Sequence, residues 1–336
     1  MLEHSQPWAN LGARLILGAA ENIPLPPKSV DVLVSSLGDP YNGERFWSEI
    51  QRVLRPTGLA LFTTPSYEWA RSFRNANDSE TTVAEFELSD GRHTLVPSYI
   101  FPVSQQIGSM RNHNLATKEV GEVPISALRE SPISPKLLPQ RGSGAAVVTG
   151  YAATGSDGRP SFPKIVGLVG HIGSGKTSVA KFLESKGFCR IAISEIVSEE
   201  ASRRNVPANR ASLRDLSNTL RRQLGSSVLV DRALVHYFSG LKSSPLVIDD
   251  LKNPAEVMAV RNSGGTVLGL HKSDPGQYRS AIQREADPNE PHWGQRVADS
   301  LMLADVIVEN VGSLDELFGR VVDKISPELG LNSGLC

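Results

Sequence analysis

Cysteine is nearly absent: the 336 residues hold two, Cys189 and Cys336. They are too few and too far apart for a disulfide framework or a thiolate zinc site, and they fit a reducing compartment. An excess of one charge is missing as well. Lys and Arg total 35 against 36 Asp and Glu, for a formal net charge of −1, so no global field concentrates nucleic acid or anionic lipid and any polyanion binding must be local. No run approaches the ~20 apolar residues of a membrane-spanning helix, and the first 25 residues lack the charged start and apolar stretch of a secretory signal. Heptads and internal repeats are missing too. These absences set the expectation of a cytoplasmic protein with neither nucleic acid nor membrane as partner. What the chain does have is length for two cores on a prior of roughly 100–200 residues per domain, and 22 prolines with 29 glycines whose positions show how it divides.

Prolines 124, 132, 135, 139, 160 and 163, with glycines 142, 144, 150, 155 and 158, interrupt the middle of the chain. No helix of normal length survives that spacing. Residues 145–151 read as a short strand inside it. The division is therefore 1–154 as a first domain, 155–163 as a linker, 164–326 as a second domain and 327–336 as a tail. Beyond Pro163 strands and helices alternate. Residues 164–169 form an apolar run, Val179, Phe182 and Leu183 follow at helical spacing, and Gly187 ends the helix. Leu213, Leu216, Leu220 and Leu224 mark a second amphipathic helix. Residues 246–248, 267–270 and 306–308 read as buried strands. Ser313 with Glu316 forms a capping box before a last helix striped by Leu317, Val321 and Ile325. Short apolar strands alternating with helices predict an α/β fold with a parallel sheet covered on both faces.

Between the first strand and its helix lies Gly170-His171-Ile172-Gly173-Ser174-Gly175-Lys176-Thr177, which fits the phosphate-loop pattern G-x-x-x-x-G-K-[ST] in the context the pattern requires. Its glycines let successive N–H groups wrap around phosphate oxygens, and the helix, with Ser178 in its first turn, offers its positive end. Lys176 suits the β and γ oxygens of a triphosphate, and the Thr177 hydroxyl suits a magnesium shell that keeps several waters. ATP and Mg2+ are the expected cofactors. Asp249 follows the strand 246–248, where an acid can reach the magnesium. Alternation sends Asp249 and its neighbour Asp250 to opposite faces, and the strand end favours Asp249 for the metal, with Asp250 as a cap.

The stretch 165–188 resembles the opening of dephospho-CoA kinases and related nucleoside monophosphate kinases. The stretches 193–205, 247–257 and 304–316 are similar to a mainly archaeal kinase-like branch of that group. The resemblance spans about 164–325. It implies a three-layer P-loop nucleotide-kinase fold, with ATP as donor and a small phosphorylated molecule as acceptor. Where dephospho-CoA kinases carry Asp-x-Asp, this chain has Ile193-Ser194-Glu195, and their His-Pro pair is missing, so a nucleoside monophosphate is the favoured acceptor. In the resembling kinases the position of Glu195 handles the acceptor; it is equally a first-turn acid of the kind helices favour. Arg279 and Arg284 resemble the lid arginines that stabilise charge on the transferring phosphoryl group, with a solvated helix face as the alternative. Arg203, Arg204, Arg214, Arg221 and Arg222 read as a solvated face first and as an acceptor clamp second. His171 and His271 read as shape-fitting or surface residues rather than catalysts. The catalytic set is therefore Lys176, Asp249, Glu195, Arg279 and Arg284.

The first half differs. Residues 15–65 resemble the second half of an S-adenosylmethionine-dependent methyltransferase, a partial Rossmann-like domain in which 31–36 and Ala20-Glu21 flank the adenine side of the cofactor pocket. The glycine-rich turn with which such enzymes grip the cofactor has no counterpart ahead of Leu15. The expectation is a half-domain that does not bind S-adenosylmethionine unaided and whose sheet edge is covered by residues 66–150, a second copy or a protein partner. Two further readings stand beside the kinase: a methyltransferase-related protein completed in trans, and a nucleotide-dependent switch without an acceptor.

Overall fold

A computed structural model describes residues 6–71, 83–88, 90–124, 127, 146–155, 162–240, 244–272 and 293–329. Two compact units emerge. The first comprises 1–100, 112–118 and 122–160, and the second 101–111, 119–121 and 161–336.

The first unit opens with a short helix α1 (Gln6–Asn10), followed by β1 (Val30–Ser35), α2 (Glu44–Val53), β2 (Leu54–Pro65) and α3 (Tyr67–Arg71). A hairpin of β3 (Val83–Glu87) and β4 (His93–Pro97) forms a separate ribbon. After α4 (Val103–Asn112), β5 (Ala116–Pro124) and β6 (Ala146–Thr154) complete a four-stranded sheet of order β1-β2-β6-β5. β1 runs parallel to β2, whereas β6 runs antiparallel to it. Apolar residues of α2 recur at helical spacing, so Phe46, Trp47, Ile50 and Val53 are all buried. Trp47 meets Phe62 of β2 edge-on with centroids 4.9 Å apart, and Phe62 meets Tyr151 of β6 at 6.3 Å. β1 is the outer strand, and its Val32 and Val34 are 54% and 68% exposed.

The second unit is the α/β fold that the alternation predicts. In chain order it contains β7 (Ile165–Gly170), α5 (Lys176–Ser185), β8 (Cys189–Ala192), α6 (Ile193–Arg203), α7 (Arg210–Leu224) and α8 (Val228–Ser239). It continues with β9 (Leu246–Leu251), α9 (Pro254–Asn262), β10 (Thr266–His271), α10 (Trp293–Met302), β11 (Val306–Glu309) and α11 (Leu314–Leu329). The five strands pair in parallel, in the order β11-β10-β7-β9-β8. β7, central and buried at every residue, is a continuous apolar run because helices cover both faces of a parallel sheet. On one face Val166, Leu168, Val247, Leu268 and Leu270 meet Val179 and Leu183 of α5 and Leu317, Val321 and Ile325 of α11. α9 and α10 lie against β7 on the other.

α4 joins this unit from far upstream in the chain. The Ser104 N–H in its first turn donates to Asp231 Oδ1 of α8 at 2.8 Å, and Ser227 Oγ donates to the other oxygen at 2.8 Å. A helix end needs acceptors for its free N–H groups, and here α8 supplies one. Gly108 passes so close to α9 that a Cβ there would stand 2.2 Å from Asn262 O. The Arg111 guanidinium lies 4.4 Å from the Phe162 ring centroid.

Candidate functional site

The loop between β7 and α5 takes its shape from three glycines in the left-handed region, Gly170 (φ 157), Gly173 (φ 77) and Gly175 (φ 98). Such backbone costs glycine the least. It is tightened by the Ser174 N–H, which donates to His171 O at 3.1 Å. From outside the loop, Asn310 Nδ2 donates to Ser174 O at 2.9 Å, while the Asn310 N–H donates to His271 O at 2.7 Å. Asn310 thus ties the end of β11 and the end of β10 to the loop. Sequence reading passed over it, since a lone Asn after a strand carries no pattern. Ile172 and Thr177 are exposed, Ser178 and Gly175 half-buried, and His171 and Ser174 buried. Burial, with Lys176 and His271 nearby, pushes the His171 imidazole below its ordinary value. It is therefore neutral at pH 7, and the charge of the loop comes from Lys176.

Lys176 is 8% exposed. Its Nζ donates to Gly170 O at 2.6 Å and His171 O at 3.0 Å, and lies 3.5 Å from Asp250 Oδ1. Asp250 Oδ2 lies 3.2 Å from Lys252 Nζ. Simple alternation does not hold at this strand end. β9 carries an irregularity opposite β7, where Gly167 faces Ile248 but Val169 faces Leu251, so one extra residue sits on β9. That is a bulge, and Asp250 takes the left-handed conformation such positions adopt, with φ 74. The bulge brings Asp250 to the two lysines.

Asp249 is 2% exposed. Its Oδ2 accepts from Arg190 Nη2 at 3.2 Å, and its Oδ1 is buried with no hydrogen-bond partner among the described residues. Burial pushes this carboxyl above its ordinary value, Arg190 offsets part of the rise, Asp250 adds to it and Lys176 offsets more. Glu195, in the first turn of α6, accepts from Arg190 Nη1 at 3.2 Å and from the Ala192 N–H at 3.2 Å. Arg190 therefore bridges the two carboxylates singled out from the sequence. Its own signal was faint: one cation inside a four-residue strand.

The basic stretch is divided among partners. Arg221 reaches Glu256, which is fully buried, through Nε at 2.9 Å and Nη2 at 2.8 Å, and the other Glu256 oxygen accepts the Lys252 N–H at 2.7 Å. Arg203, Arg204 and Arg232 all converge on Glu200. Arg214 and Arg222 remain on the exposed side of α7, with Asp215 and Thr219 as neighbours. Arg279 and Arg284 lie outside the described residues. No cluster of three or more His, Cys, Asp or Glu side chains forms a metal site, and no helix is long and apolar enough to cross a membrane, among the described residues.

The family model described as a methyltransferase domain matches residues 1–62. A UPF0200 protein of Thermococcus sibiricus is 22% identical over 183 residues, covering 50% of this chain and 96% of that protein. A UPF0200 protein of Pyrococcus horikoshii is 25% identical over 177 residues, covering 48% and 95%. The crystal structure of shikimate kinase from Aquifex aeolicus aligns with a TM-score of 0.35 at 14% identity, over 50% of this chain and 99% of that one. The chain thus joins a first segment similar to a methyltransferase domain to an α/β unit with a phosphate loop, similar to archaeal UPF0200 proteins.

Proposed function

We propose that the second unit is an ATP-dependent phosphotransferase that moves the γ-phosphoryl group to a small phosphorylated acceptor, a nucleoside monophosphate in preference to dephospho-CoA. The observation that carries this reading is the glycine-shaped loop with Lys176 at the foot of α5, facing the carboxylates at the end of the adjacent strand β9. Phosphoryl transfer needs alignment and neutralisation of charge more than covalent help. Loop N–H groups and the start of α5 bind the phosphates, and Lys176 exchanges its carbonyl partners for β and γ oxygens. Asp250 keeps the ammonium turned toward the strand end. A hard divalent cation suits the donors present, because Asp249 has a buried, unpartnered Oδ1 and Thr177 offers a hydroxyl. When bound, such a cation neutralises charge on the phosphate oxygens. Glu195 orients the acceptor, and Arg279 and Arg284 supply positive charge to the transferring phosphoryl group.

Acceptor-stimulated ADP release tests the proposal. A panel of nucleoside and deoxynucleoside monophosphates plus dephospho-CoA should include at least one stimulator, and Lys176→Ala should abolish nucleotide binding or turnover. ATP binding without any stimulation would favour a nucleotide-dependent switch. A second reading rests on the exposed outer strand β1 and the methyltransferase-domain match over 1–62: a methyltransferase-related segment completed by another polypeptide. Micromolar affinity for S-adenosylmethionine in the isolated chain, measured by calorimetry, would count against a need for completion.

A further inference from the structure

Three groups from three elements meet beside the phosphate loop: Arg190 of β8, Glu195 of α6 and Asp249 of β9. β8 pairs with β9 so that Ala192 stands opposite Asp249. Arg190, two residues earlier, shares the Ala192 face of the strand, because side chains alternate. From there its guanidinium spans the gap, with Nη2 on Asp249 and Nη1 on Glu195, each at 3.2 Å. The Arg190 side chain is 16% exposed and that of Asp249 3%, whereas that of Glu195 is 56% exposed. One end of the bridge is thus held in the interior and the other reaches the solvent side, where an acceptor would arrive.

We propose that Arg190 is a positioning residue that fixes the Asp249 and Glu195 carboxylates as one unit, so that the metal-facing and acceptor-facing acids hold a set separation. This rests on the phosphotransferase reading of the site. Three details support it. Asp249 uses only one oxygen on Arg190 and leaves Oδ1 buried and unpartnered, so the guanidinium orients the carboxylate without consuming it. Glu195 is held twice, by Arg190 and by the Ala192 N–H, which fixes its rotamer at the start of α6. A planar fork gives each acid its own terminal nitrogen in fixed geometry, whereas an ammonium is a compact point of charge on a flexible stem. The Ala192 contact is a capping contact that any helix start can use, but a salt bridge that merely ties α6 to the sheet would not need the orphaned oxygen of Asp249.

The full-length chain tests this with Arg190→Met and Arg190→Lys. Nucleotide binding is read with ADP in EDTA, and metal binding with Mn2+ added to the ADP complex and followed by electron paramagnetic resonance. Turnover is read with ATP and the nucleoside monophosphate that best stimulates ADP release. Groups that orient a ligating or reacting carboxylate typically contribute 10–100-fold in metal affinity or activity. Arg190→Met should leave ADP affinity in EDTA within about twofold, weaken Mn2+ and lower kcat by about 10–100-fold, and change KM for ATP by less than about threefold. Arg190→Lys keeps the charge and one contact, so it should recover part of both losses, and it serves alone if Arg190→Met does not fold. A purely structural bridge would instead lower the melting temperature and leave Mn2+ affinity and kcat per folded molecule intact. Mn2+ affinity and kcat within twofold of the parent in Arg190→Met, or in Arg190→Lys when that variant stands alone, would overturn the role of Arg190. If the parent binds no ADP and Lys176→Ala changes nothing, the phosphotransferase reading itself fails and the inference falls with it.

Discussion

Gly173 and Gly175 lie two residues apart in the same loop with similar positive φ, 77° and 98°, yet alanine should cost very different amounts at the two. Left-handed backbone costs an alanine about 1–2 kcal/mol, and the smaller entropy of the unfolded chain returns about 0.4–1 kcal/mol. At Gly173 a Cβ meets nothing within 4 Å, so the net cost is about 1 kcal/mol. At Gly175 the same methyl would stand 2.7 Å from Asn310 Nδ2 and 3.2 Å from Leu317 Cδ2. The amide must move, giving up its bond to Ser174 O, for about 1 kcal/mol, and the crowding adds about another 1 kcal/mol. Gly175→Ala should therefore be about 2 kcal/mol worse than Gly173→Ala, which for a unit of this size is about 4–8 °C in melting temperature. Adding Asn310→Ala removes the obstacle, so the double variant should be more stable than the sum of the single losses by about 1–2 kcal/mol. Urea titration and thermal melting of the parent and the four variants measure both quantities. Equal losses at the two glycines, or strict additivity with Asn310→Ala, would refute the claim that Asn310 buttresses the loop.

Two other expectations concern the frame around the site. Burial raises the Glu200 carboxyl, but Arg232, Arg204 and Arg203 outweigh it and hold the group below its ordinary value; its stabilisation is present above the unfolded value and is lost as pH falls through the folded one. Glu200→Gln should cost about 3 kcal/mol at pH 7 and flatten the loss of stability below about pH 4.5, a change that urea titrations at several pH values would detect. Gly108→Ala should crowd Asn262 and cost about 1–3 kcal/mol, while Gly121→Ala, with nothing within 4 Å, should cost less; amide exchange along α4 would show whether the helix lifts away.

The loop was legible in the sequence because its chemistry is local. Eight consecutive residues specify a strand end, a turn and a helix start, and nothing distant is needed to read them. Strands β7, β9 and β10 were legible for a related reason: a buried parallel strand is a short apolar run whatever its neighbours are. β11 was legible as an apolar run too, but it is an edge strand in which Val308 is buried and Ile307 exposed, not the buried strand expected. Asp249 and Asp250 show where such reading stops. Alternation is a property of a regular strand, and the bulge that brings Asp250 to Lys176 and Lys252 depends on how β9 registers against β7. Arg190 and Asn310 are harder still, since their partners lie 59 and 136 residues away and no spacing rule links them. The arginines of α6 and α7 were visible as charge, but a fully buried acid such as Glu256, the partner of Arg221, looks in the sequence like any surface glutamate.

The placement of α4 has a consequence for the order in which the molecule is made. Its ten residues are too few to be helical in water unaided, and its anchor on Asp231 comes 127 residues later. Bringing such distant points together costs about 4 kcal/mol of loop-closure entropy. During synthesis this segment leaves the ribosome before any strand of the parallel sheet exists, so its contacts with α8 and α9 can form only after those helices have been made. The second unit is therefore completed by a piece translated long before its own first strand.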